Sequence, residues 1–508
     1  MRAFTRVVAF FAALLLITYG LSDTEEQADR LWLLMLLAAG VLLALAFWPW
    51  GTRTLPVFNR TLLRWATIIL VGFTLMSVQL VRVQVVESGR TVGRVVEAPN
   101  GEIVANPRER IKALEVQRGR ILDRDGRVLA DSVLRDDGTY ARTYPEPATG
   151  PLIGYYSPAL YGASNIEAAF DEYLSGEDGG NPAEEWLNGL LHQDTRGYDL
   201  RLTIDLGLQQ LATDLLAGRP GAVVLLDPAT GEVLAMVGAP AFDPNQLYAN
   251  AGQQTPEQLE AIQGYWARLN DDPDRPLIFR PTDGLYSPGS TFKTVTATAI
   301  IDSEQATPES VYRDEGIFEV DGRIIEEANR PDPNRANWTL EESYAYSLNV
   351  VFAQLGLQLG SGGIWDYGSR FGFGDAVPFD FDTAPTQLAN AREELANRAL
   401  LADTGFGQGQ ILASPLQMAM VVAAVVNDGE MMRPHVVDQA MKADGEVVER
   451  FGDDTWRRVM SGESAAAMRQ LMIASSAYGY AQAAQIDGMT VGGNTGTAEL
   501  GEGEPHSW

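Results

Sequence analysis

Three apolar runs open the chain, over about residues 7–21, 31–49 and 65–81. A helix that crosses a bilayer needs about 20 such residues. The first run is short and is similar to the apolar core of a signal peptide. No small-residue cleavage site follows it; the acidic stretch Asp23-Thr-Glu-Glu26 does. Arg2 and Arg6 flank the first run on its N-terminal side, and Arg53, Arg60 and Arg64 lie between the second and third. Positive charge of this kind gathers on the cytoplasmic side of a membrane. The pattern predicts three transmembrane helices within residues 1–82, with the N-terminus in the cytoplasm and everything after about residue 82 outside it. Buried core helices are the alternative, and the consistent charge asymmetry argues against them.

Further on, the pattern changes to strands and short helices. Val83-Gln-Val-Val86 and Val92 to Val96 are β-branched and predict an extended, strand-rich linker to about residue 112. Asp125-Gly126, set between apolar residues ending at Leu122 and starting at Val128, signals a hairpin. Ile166 to Leu174 reads as a short amphipathic helix between loops at Pro145–Gly150 and Ser175–Pro182. Leu200 to Ile204 alternates like a strand, and Asp205 is placed to cap a helix over Leu208–Leu216. Gly221–Leu226 and Glu232–Val237 read as an antiparallel hairpin around Asp227-Pro-Ala-Thr-Gly231. A loop rich in Asp, Pro and Gln follows, to Pro281. The boundaries drawn from this are 1–82 for the membrane region, 83–199 for a pedestal and 200–508 for a larger domain.

After that loop comes Tyr286-Ser-Pro-Gly-Ser-Thr-Phe-Lys293. Pro288 and Gly289 break the chain, and Phe292, Val295, Ala299 and Ile300 then recur at helical spacing. Ser290 and Lys293 stand three apart, so a hydroxyl and an amine share one face of the first turn. That pairing suits a nucleophile whose proton the amine removes. Composition sharpens the point. Of 38 Lys and Arg residues only Lys112, Lys293 and Lys442 are lysines. Arg stays protonated, whereas a partly buried Lys can release its proton. There is no cysteine, and His192, His435 and His506 are the only histidines. Thiol chemistry is excluded, a Ser-His-Asp triad is poorly supplied, and neither metal nor cofactor is expected. A net charge of −29 argues against nucleic-acid binding.

Two later stretches complete a constellation. Ser347-Leu-Asn349 precedes a helical run at Val350–Leu355, and Met489 to Ala498 looks like a strand with small residues on one face. Taken alone, Ser290-x-x-Lys293 is an ordinary surface pair, Ser347-Leu-Asn349 a helix cap and Asn494-Thr-Gly-Thr497 a turn. In this order they resemble the motif set of the penicillin-binding proteins.

The full pattern resembles a class B (monofunctional) transpeptidase of the penicillin-binding protein A type, from about Asn106 onward. Arg118-Gly-Arg-Ile-Leu-Asp-Arg124 and Ile166-Glu167 with Tyr173-Leu-Ser-Gly176 are similar to its pedestal signatures. Leu202-Thr-Ile-Asp205, Asp227 to Gly231, Gly407-Gln-Gly409 and Ser414-Pro-Leu-Gln-Met418 match further family stretches. The resemblance implies an α+β fold: transmembrane helices, a strand-rich pedestal, and a β-lactamase/transpeptidase-like domain with an antiparallel sheet flanked by helices. It implies that Ser290 attacks the carbonyl between the two terminal D-alanines of a peptidoglycan stem peptide, while Lys293 takes its proton. Ser347 would relay a proton to the leaving group, Asn349 would hold the substrate amide, and Asn494, Thr495, Gly496 and Thr497 would line the substrate. The backbone N–H groups of Ser290 and Thr497 would form the oxyanion hole. β-Lactams would acylate the same serine, and a SEDS-family glycan polymerase in the membrane would be the partner.

Two features depart from the family. Its third motif begins with Lys where this chain has Asn494, so a positive charge is missing and weakened acylation is expected. The family also continues beyond His506-Ser-Trp508 with two strands and a helix, so a truncated, incomplete domain is expected. Both features favour a second reading, a catalytically impaired scaffold of the cell-wall machinery. A membrane-bound β-lactam sensor or hydrolase is the third.

Overall fold

The apolar runs fold as helices Arg2–Ser22, Ala28–Phe47 and Val57–Val81. The computed structural model describes residues 2–22, 28–83, 96–97, 103–104, 116–176, 196–216, 219–249, 255–452, 454–498 and 505–508. Phe4–Leu21 and Val57–Val81 are long and apolar enough to cross a membrane. The second helix differs from the expected span: Asp29 and Arg30 occupy its first turn, which leaves Leu31–Phe47 as a shorter apolar stretch. The second helix packs against both others. Gly20 lies where a Cβ would overlap the Trp32 ring at 2.3 Å, so small residues set the approach. The Trp32 indole donates to Gln79 Oε1 at 2.7 Å, and the Arg82 guanidinium lies 4.6 Å from the Trp32 ring centre. Outward-facing side chains such as Phe58, Leu70 and Phe73 stay exposed, as lipid contact would require. This unit spans Met1–Lys112, and Ala113–Trp508 form a second one. Of the expected linker strands, Val96–Glu97 pairs with Ile103–Val104, and Val92 to Val95 lie outside the described residues.

In the second unit a six-stranded sheet has the order Val447–Arg450, Val437–Met441, Asp199–Leu202, Ile121–Leu122, Val128–Leu134, Tyr140–Thr143. Ile121–Leu122 pairs parallel with Asp199–Leu202, and the other neighbours are antiparallel. The expected turn at Asp125-Gly126 is present. Asp123 Oδ1 accepts from Asp125 N (2.9 Å) and Arg127 N (2.8 Å), closing an Asx-type turn. Asp205 caps the helix Leu206–Leu216 by accepting from Gly207 N and Leu208 N at 2.9 and 3.1 Å. The expected hairpin forms between Gly221–Leu226 and Val233–Ala239.

Ile166–Leu174 is not one helix. Phe170 leaves helical geometry (φ −112°, ψ 27°) and divides it into Asn165–Ala169 and Asp171–Ser175. The stretch before Pro281, expected as loop, holds the helix Pro256–Asp271, started by a capping box of Thr255 and Gln258. Most of the expected loop at Ser175–Pro182 lies outside the described residues.

The two pedestal signatures meet in one buried ion cluster through Arg118 and Glu167, 49 residues apart in sequence. Glu167, fully buried, accepts from Arg118 Nη2 (3.0 Å), Arg142 Nε (2.5 Å) and Tyr144 OH (3.1 Å). Arg118 also pairs with Asp171, and its guanidinium lies 3.9 Å from the Tyr156 ring centre. Burial pushes the Glu167 carboxyl up, but Arg142 and Arg118 outweigh it and hold the group below its usual range.

The core runs on from these strands to the helices around Lys293–Asp302. Every residue from Lys293 to Ile300 is buried. Five β-branched residues in this run, three of them threonines, are poor helix formers, so packing rather than propensity holds the helix. Its threonines are satisfied: Thr294 Oγ1 bonds with Tyr344 OH (2.9 Å), Thr296 Oγ1 donates to Gly405 O (2.8 Å) and Thr298 Oγ1 to Thr294 O (2.8 Å).

Breaking a buried ion cluster by removing one partner typically costs about 3–5 kcal/mol. Glu167→Gln is expected to lower unfolding stability by about that amount, read by chemical denaturation of the full chain in detergent. Because the folded carboxyl titrates below its unfolded value, its contribution is present above the unfolded pKa of about 4.3 and is lost as pH falls through the folded value. Parent and variant should therefore converge in acid. Equal stability at neutral pH would contradict this account.

Candidate active site

Ser290 sits in a turn of 3-10 helix, Gly289–Phe292, that leads directly into the buried helix at Lys293. The break expected from Pro288-Gly289 is real. Gly289 adopts φ +52°, and a Cβ there would lie 2.6 Å from Thr497 O. Gly407, at φ +86°, presses on the same turn: a Cβ there would lie 1.7 Å from Gly289 O. Only residues without a side chain fit either position. Tyr286 and Ala413 exchange two backbone hydrogen bonds of 2.9 and 2.8 Å, and Thr291 Oγ1 donates to Pro288 O at 2.7 Å. The Ser290 turn is thus clamped from two distant parts of the chain, Gly407–Ala413 and Thr497.

Lys293 is 1% exposed, and its amine reaches four oxygens. They are Ser290 Oγ (3.0 Å), Ser347 Oγ (2.9 Å), Ser347 O (2.7 Å) and Asn349 Oδ1 (2.7 Å). Two of these, the Ser347 carbonyl and the Asn349 amide oxygen, can only accept. A neutral amine has two protons and one lone pair. The two protons go to those two oxygens, which leaves the lone pair facing the hydroxyls of Ser290 and Ser347. Burial pushes the amine down to about 7, against the opposing pull of Glu327. The neutral form is therefore accessible near physiological pH.

Ser347 presents both of its oxygens to Lys293 because its backbone is left-handed, at φ +55°. A non-glycine residue held there costs on the order of 1–3 kcal/mol. Asn329 Nδ2 donates to Ser347 O at 3.2 Å and adds a second anchor on that carbonyl. Asn349 begins the helical segment Asn349–Arg370, which is divided into two helices at Gly360 (φ 68°, ψ 172°), and the expected helical run at Val350–Leu355 lies in the first of them.

A cleft of about 1080 Å³ opens over these groups. Ser290, Ser347, Asn349, Thr495, Gly496 and Thr497 line it, together with Arg323, Asn329, Gln408 and Tyr480. Thr497–Ala498 pairs with His506–Ser507, and Trp508 exchanges two backbone bonds with Gly496. The expected strand from Met489 is shorter than the sequence pattern implied, because only these two residues are paired. Asn494 is not among the residues that line the cleft. Its Nδ2 donates to Ser290 O (3.1 Å) and Thr294 Oγ1 (3.4 Å), and its Oδ1 accepts from Thr495 N (2.8 Å). It ties the strand to the nucleophile turn.

All eight expected site residues therefore come together, seven around Ser290 and the cleft and Asn494 beside the turn. Sequence reasoning missed Arg323, Glu327, Asn329, Gln408 and Tyr480. Gln408 stood within a quoted family stretch, Gly407-Gln-Gly409; the others belong to no short motif. Among the described residues no group of His, Asp and Glu is arranged to hold a metal ion.

The same chain matches two family models, the penicillin binding protein transpeptidase domain over residues 221–508 and the penicillin binding protein A dimerisation domain over residues 118–200. It is 32% identical over 410 residues to the peptidoglycan D,D-transpeptidase PbpA of Mycolicibacterium smegmatis, covering 77% of this chain and 80% of that protein. It is 31% identical over 412 residues to PbpA of Mycobacterium tuberculosis, with the same coverage of 77% and 80%. Among solved structures, the ceftriaxone acyl-enzyme complex of penicillin-binding protein A from M. tuberculosis superposes with a TM-score of 0.71 at 29% identity, over 78% of this chain and 89% of that one. The penicillin G acyl-enzyme complex of that protein gives 0.68 at 30% identity, over 76% and 87%. The clamped Ser290 turn, the buried Lys293 amine and the strand at Thr497 thus stand in a chain that belongs to the penicillin-binding protein transpeptidase family.

Proposed function

We propose that this chain is a membrane-anchored peptidoglycan D,D-transpeptidase that works through an acyl-serine intermediate at Ser290. The observation that carries the reading is the Lys293 amine, whose two protons are engaged by carbonyl oxygens so that its lone pair faces two hydroxyls. Ser290 Oγ attacks the carbonyl carbon between the two terminal D-alanines, and its proton passes to Lys293. The tetrahedral oxyanion is held by the backbone N–H groups of Ser290 and Thr497, the turn of the first meeting the strand of the second at Gly289. Ser347 gives its hydroxyl proton to the departing D-alanine nitrogen as the C–N bond breaks and is reprotonated by Lys293, which returns to the neutral amine. The amine of a neighbouring stem peptide then attacks the ester carbonyl, its proton returns through Lys293, and Ser290 is released as the cross-link forms. A β-lactam enters at the first step, and its leaving nitrogen stays tethered to the acyl group.

Asn349 holds the substrate amide, and Thr495, Gly496 and Thr497 form the strand against which the peptide lies. The helices Phe4–Leu21 and Val57–Val81 support membrane anchoring. We place the boundaries at 82 and 199, with the pedestal and the 200–508 domain on the extracytoplasmic side. A SEDS-family glycan polymerase is the membrane partner we propose, since the cross-linked strands must first be polymerised.

Asn494 supports a second reading, that of an impaired enzyme acting as a scaffold. Its amide is engaged by Ser290 O and Thr294, so it adds no positive charge to the cleft. A hydrogen bond to a charged partner is worth roughly 1.5–3 kcal/mol, or about tenfold or more in rate. Fluorescent penicillin is expected to label the parent protein in membranes, to miss Ser290→Ala, and to label Asn494→Lys at least about tenfold faster. Label that persists in Ser290→Ala would sink the acyl-serine reading; label only in Asn494→Lys would move the weight to the scaffold.

Acylation by this route needs neutral Lys293. The second-order rate of labelling should rise with pH through a midpoint near 7, where burial has placed the amine, and level off above it. A flat profile between pH 5 and about 9 would mean that Lys293 is not the base.

A further inference from the structure

Glu327 directly follows the hairpin strand Arg323–Glu326, and its side chain is buried at 9% exposure. Both carboxylate oxygens accept backbone N–H groups. Oε1 takes Asn329 N at 2.9 Å, and Oε2 takes Val350 N at 3.1 Å. Two donors and no acceptor partner suit an ionised carboxylate rather than an acid, which would need to donate. Val350 N belongs to the first turn of Asn349–Arg370, where the helix dipole favours an anion.

The same carboxylate is connected to the lysine along two routes. Through Val350 it holds the start of the helix from which Asn349 Oδ1 reaches Lys293 Nζ. Through Asn329 it orients the side-chain amide that donates to Ser347 O, and that oxygen is another acceptor for Lys293 Nζ. None of the steps from acylation to cross-linking uses Glu327 or Asn329.

We propose that Glu327 is a positioning residue of this site: its two backbone bonds hold Asn349 and Ser347 in place around the Lys293 amine, and its buried carboxylate is the counter-charge of that amine. The proposal rests on the reading of Lys293 as the general base.

Burial alone depresses Lys293, and Glu327 is the charge that opposes it. Burial in turn pushes Glu327 up and outweighs the downward pull of Asn329 N, Val350 N and Lys293, so the carboxyl sits above its usual range. Two further groups face it. Asp314, beyond the strand Val311–Arg313, raises Glu327 and is itself pushed up by burial, against the pull of Gly316 N and Arg330. Tyr480, beyond the helix Gly462–Tyr478, donates its hydroxyl to Asn329 O at 3.0 Å and feels the Glu327 charge. Lys293 is the one amine among these groups, and the Arg330 guanidinium stays protonated. A general base works best with a pKa near the working pH. A buried amine without a counter-ion drops well below that and loses basicity, so Glu327 limits the fall.

The chain's three lysines make the test direct. Full-length protein carrying 13Cε-labelled lysine, in detergent, gives three NMR signals, and Lys293→Met identifies the one that matters. In Glu327→Gln that signal is expected to titrate about one pH unit or more below the parent. Gln places a donor against one backbone N–H, so Glu327→Ser, which leaves room for water, provides the same charge removal if the first variant fails to fold. An unchanged or raised midpoint in a folded variant overturns the proposal, even if acylation slows, because a purely structural role would slow acylation without moving the amine. Fluorescent-penicillin labelling of the parent is run beside it. No labelling together with a lowered Lys293 midpoint in the variant would sink the transpeptidase reading and leave the electrostatic link standing. Normal labelling with an unmoved midpoint would sink the link alone.

Discussion

The dehydrated amine of Lys293 imposes the strictest condition on the fold. Taking an ammonium out of water costs several kcal/mol, and the cost is met only if good acceptors and a counter-charge wait inside. Here the acceptors come from Ser290, Ser347 and Asn349, and the nearby charge comes from Glu327. No two of the contributing segments are adjacent in sequence. The helix that carries the amine must therefore lie in the core, and the residues Lys293 to Ile300 are buried on every side. Its threonine hydroxyls would be costly there unless bonded, and each of the three has a partner.

The nucleophile turn depends on the same packing. Gly289 and Gly407 let the backbone of one loop lie directly on another, and Thr497 closes in from the strand side. Ser347 is held at positive φ by bonds to both of its oxygens, so local backbone strain is stabilised by the site it helps to build. Asn494 contributes to this clamp rather than to the open cleft. Its short side chain bonds to the Ser290 carbonyl, whereas a lysine at that position would carry its charge several bonds further out. Asn494 brings no cation to the cleft while it ties the strand to the turn.

The pedestal shows how separated signatures can be one physical object. Arg118 and Glu167 belong to two weak motifs, and in the fold they form a single buried cluster with Arg142 and Tyr144. The strand Asp199–Leu202 then joins that cluster's sheet to Val437–Met441, more than 230 residues later. Neither the parallel pairing nor this long-range partner has a local signal, because sheet register is set by which faces are buried together.

What the sequence determined by itself is everything that short-range chemistry decides. Apolar runs named the N-terminal helices, Asp205 named a cap, Asp125-Gly126 named a turn, and Ser290-x-x-Lys293 after Pro-Gly named a hydroxyl held beside an amine. These depend on neighbours three or four residues away. The break of helix at Phe170, the capped helix at Pro256–Asp271 and the short pairing at Thr497–Ala498 departed from the sequence reading, although Thr255 with Gln258 was a legible start signal for the second of these. Tertiary structure alone decided that Asn494 turns toward the Ser290 carbonyl, that Asn329 reaches Ser347, and that Glu327 sits within electrostatic reach of the lysine. The reason is physical: a proton affinity depends on burial and on charges close in space, and an isolated Glu or Asn in a loop carries no pattern that reports what the folded chain brings beside it.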